Sequence, residues 1–353
     1  MSNKSNLKNI RSINENNIQN YISGLIQSDG GFGLKTSRNK KNNNLYLSPY
    51  FHLTLHSKNI NIIKDIKDYF DAGYYRIDNK GICTYVCNNI IDLNNKIVVH
   101  FDKYPLCPDK YNSYILFKYI VNKLYNKEHI KDKNLKLELL MLGYHMNAKF
   151  LKKDLEIFRY LNLSQISFIK SDNWKIILKE QLDLYPSNFK LNIYFIQGLF
   201  DGDGNISVYL SKNTKINRIY IRFNFNIVQD FFNIKLLDLI KQYFNCGNIY
   251  NITPYYSRYD VKSIKDIKLK ILPSILNNNM NIHIYNSNNS IKLYKLYYVY
   301  QLIEYLDRNN YNLSDEVIFK NVASYMYDII HLDSKYLTKS QYIDNLFNKF
   351  FKN

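Results

Sequence analysis

One nine-residue stretch occurs twice in the chain. The first copy, residues 22–30, reads ISGLIQSDG, and the second, residues 196–204, reads IQGLFDGDG. Each is an apolar helical run with small residues four apart, Gly24 and Ser28 in one, Gly198 and Gly202 in the other. Residues i and i+4 share a helix face, so each copy carries a stripe on which a partner helix can come close. The spacing predicts that the two copies pack against each other. Each copy ends in an acid and a glycine, Asp29-Gly30 and Asp203-Gly204. Gly30 is expected in the left-handed position just past the helix end. A carboxylate at a helix C-terminus faces the negative end of the helix dipole, and two of them on packed helices also repel. A cation between them relieves both conflicts. Mg²⁺ takes oxygen ligands and keeps several waters. Two carboxylates around shared Mg²⁺ beside a phosphate make a phosphodiester hydrolysis site.

The repeat reaches well beyond the motifs. Asp29 and Asp203 lie 174 residues apart, and the same offset joins Ile66 to Ile240, Lys67 to Lys241, Tyr69 to Tyr243, Phe70 to Phe244 and Gly73 to Gly247. Identity held in register over that length is the mark of duplication. In the first copy a helix over 17–28 leads to strand-like runs at 32–37 and 45–56. In the second run Phe51, Leu53 and Leu55 alternate with His52, Thr54 and His56, the pattern of a strand with one buried face. An amphipathic helix over 59–70, short strands at 74–77 and 82–86, a partly helical 89–104 and a helix over 113–125 follow. The unit is αββαββα. The second copy has cleaner strands still. Ile206, Val208 and Leu210 alternate with Ser207, Tyr209 and Ser211, and the apolar residues from Ile219 to Ile227 alternate with Arg218, Tyr220, Arg222, Asn224 and Asn226.

The paired stretches resemble the motifs of the LAGLIDADG homing endonucleases in their single-chain, two-motif form. Glycine at the third position and Asp-Gly at the eighth and ninth match in both copies; Gln27 departs at the sixth, which is not a metal ligand in that family. The resemblance covers roughly 17–125 and 190–305. It implies an α+β fold of two pseudo-symmetric αββαββα halves, whose antiparallel sheets form a saddle over the DNA major groove. It further implies an endonuclease cutting both strands of a long site, one half serving each strand. Asp29 and Asp203 would bind Mg²⁺, with help from the backbone carbonyls of Ser28 and Gly202. A lysine before the last helix of each half would steady developing charge; Lys110 fits the first half and Lys292 the second. His56 and Gln229, at the ends of the second strands, would order active-site water.

Composition fits this reading. The net charge is +18 over 353 residues, which calls for an acidic partner, most commonly nucleic acid. No run approaches the ~18 apolar residues of a membrane span. Cys83, Cys87, Cys107 and Cys246 show neither zinc spacing nor a disulfide framework and are expected to be reduced. The excess of Asn, Ile, Lys, Tyr and Phe reflects A/T-rich codons, hence an organellar genome such as that of a mitochondrion. Arg and Asn on one strand face can read guanine and adenine in a major groove, so Tyr209, Arg218, Tyr220, Arg222, Asn224 and Asn226 are the expected base-side residues. Lys35, Arg38, Lys40, Lys41, Lys212 and Lys215, near the strand ends, would meet phosphates.

The expected organisation is a polar tail over 1–16, one half over 17–126, a structured connector over 127–190, a second half over 191–305 and a helical appendix over 306–353. The resemblance implies double-stranded DNA as the partner, bound by a monomer with internal pseudo-two-fold symmetry. Some relatives are instead maturases, which help their host intron RNA to fold; basic charge and sheet aromatics suit RNA as well. A structural ribosome-associated protein of the same fold would more naturally have lost one of the acids.

Overall fold

The computed structural model describes residues 15–38, 44–147, 158–159, 161–184, 189–276, 290–330 and 337–352. The chain forms two compact units, Met1–Gly198 and Leu199–Asn353.

The first unit runs α1 (Glu15–Asp29), β1 (Gly30–Arg38), β2 (Leu45–His56), α2 (Ile60–Phe70), β3 (Tyr74–Ile77), β4 (Ile82–Cys87), a helical run α3 over 90–103 and α4 (Pro108–Tyr125). Its antiparallel sheet has the order β1-β2-β4-β3. Strand alternation decides what is buried. Phe51, Leu53 and Leu55 of β2 turn inward with Phe32 of β1, while Tyr50, His52 and Thr54 take the other face. Phe32 anchors an aromatic cluster, its ring 4.9 Å from that of Phe117 and 5.4 Å from that of Phe101. α4 begins at Pro108, five residues before the expected start, because a proline at the first helical position needs no backbone donor. Beyond it α5 (Glu128–Lys131), α6 (Lys133–His145), α7 (Leu163–Lys170) and α8 (Trp174–Leu184) extend the core, with Leu139, Leu142 and Ile169 buried.

The motif helices meet inside this first unit. α1 packs on the opening turns of α9 (Ile193–Asp203). A Cβ on Gly24 would stand 1.9 Å from the carbonyl oxygen of Phe195, and one on Gly198 would stand 2.0 Å from that of Tyr21. Each glycine therefore admits the other helix's backbone, as the repeat predicts. Asn192 Nδ2 donates to Asn20 Oδ1 at 2.9 Å beside the contact. Gly30 differs from expectation. It is the first residue of β1 and lies outside the left-handed region. It must be glycine because a Cβ would come within 2.6–2.9 Å of Ile26.

The second unit continues through β5 (Gly204–Asn213), β6 (Arg218–Asp230), α10 (Ile234–Phe244), β7 (Asn248–Thr253), β8 (Tyr256–Val261), a helical run α11 over 264–276 and α12 (Ile291–Arg308). The sheet order β5-β6-β8-β7 repeats that of the first. The duplication extends to the backbone. α2 and α10 both end in a left-handed residue, Asp71 and Asn245, types that tolerate this conformation. In each case a lysine 25 residues on, Lys96 or Lys270, donates to that residue's carbonyl. Both lysines lie in matching π-helical turns, Leu93–Val98 and Ile267–Ile271. α13 (Glu316–Ile330) and α14 (Lys339–Phe347) complete the unit. The four cysteines are free. No helix among the described residues is long and apolar enough to cross a membrane.

Gly24→Ala is expected to lower the unfolding free energy by about 3 kcal/mol, the upper part of the range for overpacking, because the clash falls on backbone. Urea denaturation checks this; a loss below about 0.5 kcal/mol would mean that the helices separate freely.

Candidate active site and nucleic-acid face

Each motif helix delivers its acid at the last helical residue, Asp29 in α1 and Asp203 in α9, directly before a strand. The half-buried Asp203 accepts a hydrogen bond from Gln229 Nε2 at 2.5 Å. Gln229 also donates to the Val228 carbonyl, and its Oε1 accepts from Asn233 Nδ2 at 3.3 Å. Lys292 donates to the carbonyl of Gly202, one of the two expected backbone ligands. Ser28, the other, turns its hydroxyl back onto the Leu25 carbonyl at 2.8 Å, so its own carbonyl is the atom in question.

The sixth motif position is where the copies part company in sequence, Gln27 against Asp201. Their roles coincide. Gln27 Oε1 accepts from the backbone N–H of Cys107, and Asp201 Oδ1 accepts from the hydroxyl of Ser290. Cys107 is the N-cap of α4 and Ser290 that of α12. Both side chains are buried and tie the motif helix to the start of the last repeated helix. Counted from these caps, Lys110 is the third helical residue and Lys292 the second, so the two lysines are not register equivalents. The structure brings Lys292 to its motif, while the charge of Lys110 reaches His52. There burial chiefly, then Lys110 and Lys35, hold the imidazole below its ordinary range.

Register also corrects the pairing of His56 with Gln229. Gly30 opposes Leu53, and Gly204 opposes Ile227. Two residues further along, the counterpart of Gln229 is Leu55, and that of His56 is Asp230. Leu55 is a core residue, and His56 uses its ring to accept from the Lys58 N–H at 3.2 Å. The position from which Gln229 supports Asp203 is therefore apolar in the first half. His100 is the corresponding surprise in the first unit. It is fully enclosed, which lowers its pKa to about 3, and its nitrogens meet the Ser23 hydroxyl at 3.2 Å and the Tyr69 hydroxyl at 3.0 Å. It is a neutral core group that braces the motif helix.

The wet face of the second sheet carries the expected row. Arg218 and Arg222 are exposed and flank Tyr220, with guanidinium carbons 5.4 and 5.3 Å from its ring. Tyr209 is exposed opposite Arg222, and Asn224 and Asn226 continue the row inward. Lys215 sits in the exposed turn between β5 and β6. Lys212 does not join them. It shares the strand parity of Ile206 and Val208, and its amine donates to the Phe350 carbonyl at 2.9 Å. Arg38 is likewise out of phase with the exposed Lys35 and shares the parity of Phe32. Lys40 and Lys41 lie outside the described residues.

Register adds residues that alternation within single strands missed. Tyr46, Tyr50 and His52 line the wet face of the first sheet, and Lys35 Nζ stands 5.2 Å from the Tyr50 ring. Gly31 and Gly33 let the rings of His52 and Tyr50 lie flat across β1, since a Cβ would meet them at 2.6 and 2.4 Å. In the second sheet Asp260 opposes Asn226 and is ion-paired with Arg258 at 2.8 Å. Asp260 is itself buried, so this pair stands behind the face and not on it.

Among the described residues no three His, Cys, Asp or Glu side chains cluster in the manner of a soft-metal cage. What each motif end offers is a carboxylate beside a carbonyl, the hard oxygen set that suits a partly hydrated divalent ion. A duplicated αββαββα chain with an acid at the end of each motif helix and one sheet bearing a row of Arg and Asn has the make-up of a metal-dependent nuclease of duplicated origin. The model of a family described as LAGLIDADG endonuclease matches residues 22–121 and 196–294. The chain belongs to the LAGLIDADG endonuclease family, whose chemistry depends on a divalent metal.

Similar proteins agree. A probable intron-encoded DNA endonuclease 1 of Mycosarcoma maydis is 28% identical over 262 residues, 74% of this chain and 93% of that protein. A probable intron-encoded endonuclease 3 of Neurospora crassa is 26% identical over 69% of this chain, which spans 47% of that protein's length. Among solved structures, the I-LtrWI LAGLIDADG homing endonuclease bound to target DNA superposes with a TM-score of 0.71 at 21% identity, over 90% of this chain and 99% of that one. Meganuclease I-SmaMI bound to uncleavable DNA gives 0.70 at 20% identity, over 88% and 98%.

Gln229→Leu installs the first half's own residue at this position and removes a charge-assisted hydrogen bond, a loss of order 1.5–3 kcal/mol. The strand served by the second half should be cut at least roughly tenfold more slowly, with nicked plasmid accumulating. Equal slowing of both strands would show a merely structural role for Gln229.

Proposed function

We propose that the protein is a Mg²⁺-dependent homing endonuclease that cuts both strands of one long DNA site and spreads the intron that encodes it. The observation that carries this reading is that both motif helices keep their terminal acid in the same structural setting, before the first strand of a duplicated half. An intact pair of acids favours cleavage over binding alone.

Asp29 and Asp203, with the carbonyls of Ser28 and Gly202, would hold the metal. Bound there, the ion supplies an activated water and charge for the leaving oxygen. The chain does the rest. Gln229 fixes the Asp203 carboxylate by donating to one of its oxygens. Lys292, now on the Gly202 carbonyl, has the charge and flexible stem to move to a neighbouring phosphate oxygen. Lys110 would serve the first half from the start of α4. The row Arg218, Arg222, Asn224 and Asn226 would read base edges from one sheet, and Tyr50, His52 and Lys35 would meet the duplex from the other. Tyr209 and Lys215 would contribute at the second sheet's outer end. The relatives' description as intron-encoded, and one 32% identical over 117 residues found in ND4 intron 1 of Podospora anserina, favour an intron-encoded origin. We place the protein in the mitochondrion on that ground and on its A/T-rich codon usage. No observation favours the maturase reading over this one.

Asp29→Asn and Asp203→Asn should each reduce the linear product from the intronless insertion-site DNA at least about 100-fold in Mg²⁺. Affinity for the uncut duplex should stay within about threefold. Undiminished cutting by either variant would refute the reading. Wild-type protein that cuts nothing but promotes splicing of its host intron would establish the maturase in its place.

A further inference from the structure

The second unit contains a cleft of about 820 Å³ that the endonuclease reading does not use. One wall is the β5–β6 turn with Asn217 and Arg218; the other is the segment joining α12 to α13, with Arg308, Asn310 and Asn312. Ile219 and Ile318 contribute apolar lining.

Its charge is one-sided. None of the described residues lining the cleft is acidic, and two arginines share it. The neighbouring acids are committed elsewhere. Asp307 is ion-paired with Lys268, and Asp315 caps α13, accepting from the backbone N–H groups of Val317 and Ile318 at 2.9 and 3.0 Å. Two exposed arginines lining one cleft with no acid among its described residues make it electropositive, a setting that favours an anion. The planar fork of arginine fits phosphate oxygens two at a time.

The cleft is also rigidly built. Asn217, Asn310 and Tyr311 hold left-handed backbone, with φ of 46°, 51° and 54°. Tyr311 N–H is fixed on the Leu306 carbonyl at 2.9 Å, and Asn312 N–H on that of Asn309 at 3.0 Å. Asparagine tolerates this conformation, whereas Tyr311 is held in it by its backbone hydrogen bond. Finally, the cleft continues an existing feature. Arg218 is both a lining residue and the outermost member of the Arg218–Tyr220–Arg222 row on the sheet's wet face. Arg308 lines the same cleft as Arg218, at the hairpin end of that face.

We propose that this cleft binds the phosphodiester backbone of duplex DNA flanking the half-site read by the second sheet, with Arg308 as a phosphate contact. The segment beyond α12 thereby lengthens the DNA footprint. The proposal rests on the endonuclease reading and deepens it. Double-stranded DNA is the occupant the geometry favours, because the cleft prolongs a strand face already suited to a major groove.

The test is fluorescence anisotropy across a salt series on two duplexes. One is the full insertion site with its flanks; the other is shortened by about half a helical turn on the second-half side. Proteins are wild type, Arg308→Ala and Arg308→Lys. Arg308 is exposed at a helix end, so the variants keep the fold. Arg308→Ala should weaken binding to the long duplex about three- to tenfold and lower the slope of log K against log salt by about one. It should bind the short duplex as wild type does, and Arg308→Lys should recover part of the loss. An unchanged affinity for the long duplex, or an equal loss on both duplexes, would overturn the proposal. Wild type that bound neither duplex would bring down the endonuclease reading and this one with it.

Discussion

The fold depends on two helix backbones coming closer than any side chain allows. At Gly24 and at Gly198 the missing Cβ is replaced by a carbonyl of the other helix, at separations that even alanine could not tolerate. Helices that pack through side chains lie about 8–10 Å apart; this pair interlocks at the backbone. The motif sequence is conserved between the two copies at this position because the contact is reciprocal. The same helices then carry the chemistry, since each runs on without a break to its terminal acid.

The second organising constraint is strand parity. Because side chains alternate strictly across a sheet, each strand sorts its residues between a core of phenylalanine and isoleucine and a wet face of arginine, asparagine, tyrosine and histidine. Where a residue breaks the functional pattern, parity explains it. Lys212 looks like a phosphate contact by composition, yet it shares the face of Val208 and is held by the Phe350 carbonyl. Two devices keep the wet faces flat and ordered: Gly31 and Gly33 beneath the rings of His52 and Tyr50, and Tyr220 between two arginines.

Much of this was legible in the sequence, for identifiable reasons. The motif pair, the 174-residue offset and the alternation in β2, β5 and β6 are local or periodic signals, and they gave the sheets and the helix contact. The physical role of Gly30 was not legible, because its crowding by Ile26 arises only once the helix turns into the strand. Nor was the true partner of Gln229: end-of-strand position suggested His56, and only the pairing register reveals Leu55. The matching duties of Gln27 and Asp201 were hidden because an amide and a carboxylate look different in sequence while accepting the same kind of hydrogen bond. The cleft at Arg218 and Arg308 joins residues ninety positions apart, so no window of sequence could contain it.

Cleavage by this chain, as proposed, requires both motif acids to act as ligands for divalent cations. The most direct measurement is anomalous scattering from crystals of the protein on its target duplex, grown with Mn²⁺. The expected result is a peak within coordination distance, about 2.0–2.4 Å, of a carboxylate oxygen of Asp29 and of Asp203. DNA-bound protein with no peak at either acid would contradict the account.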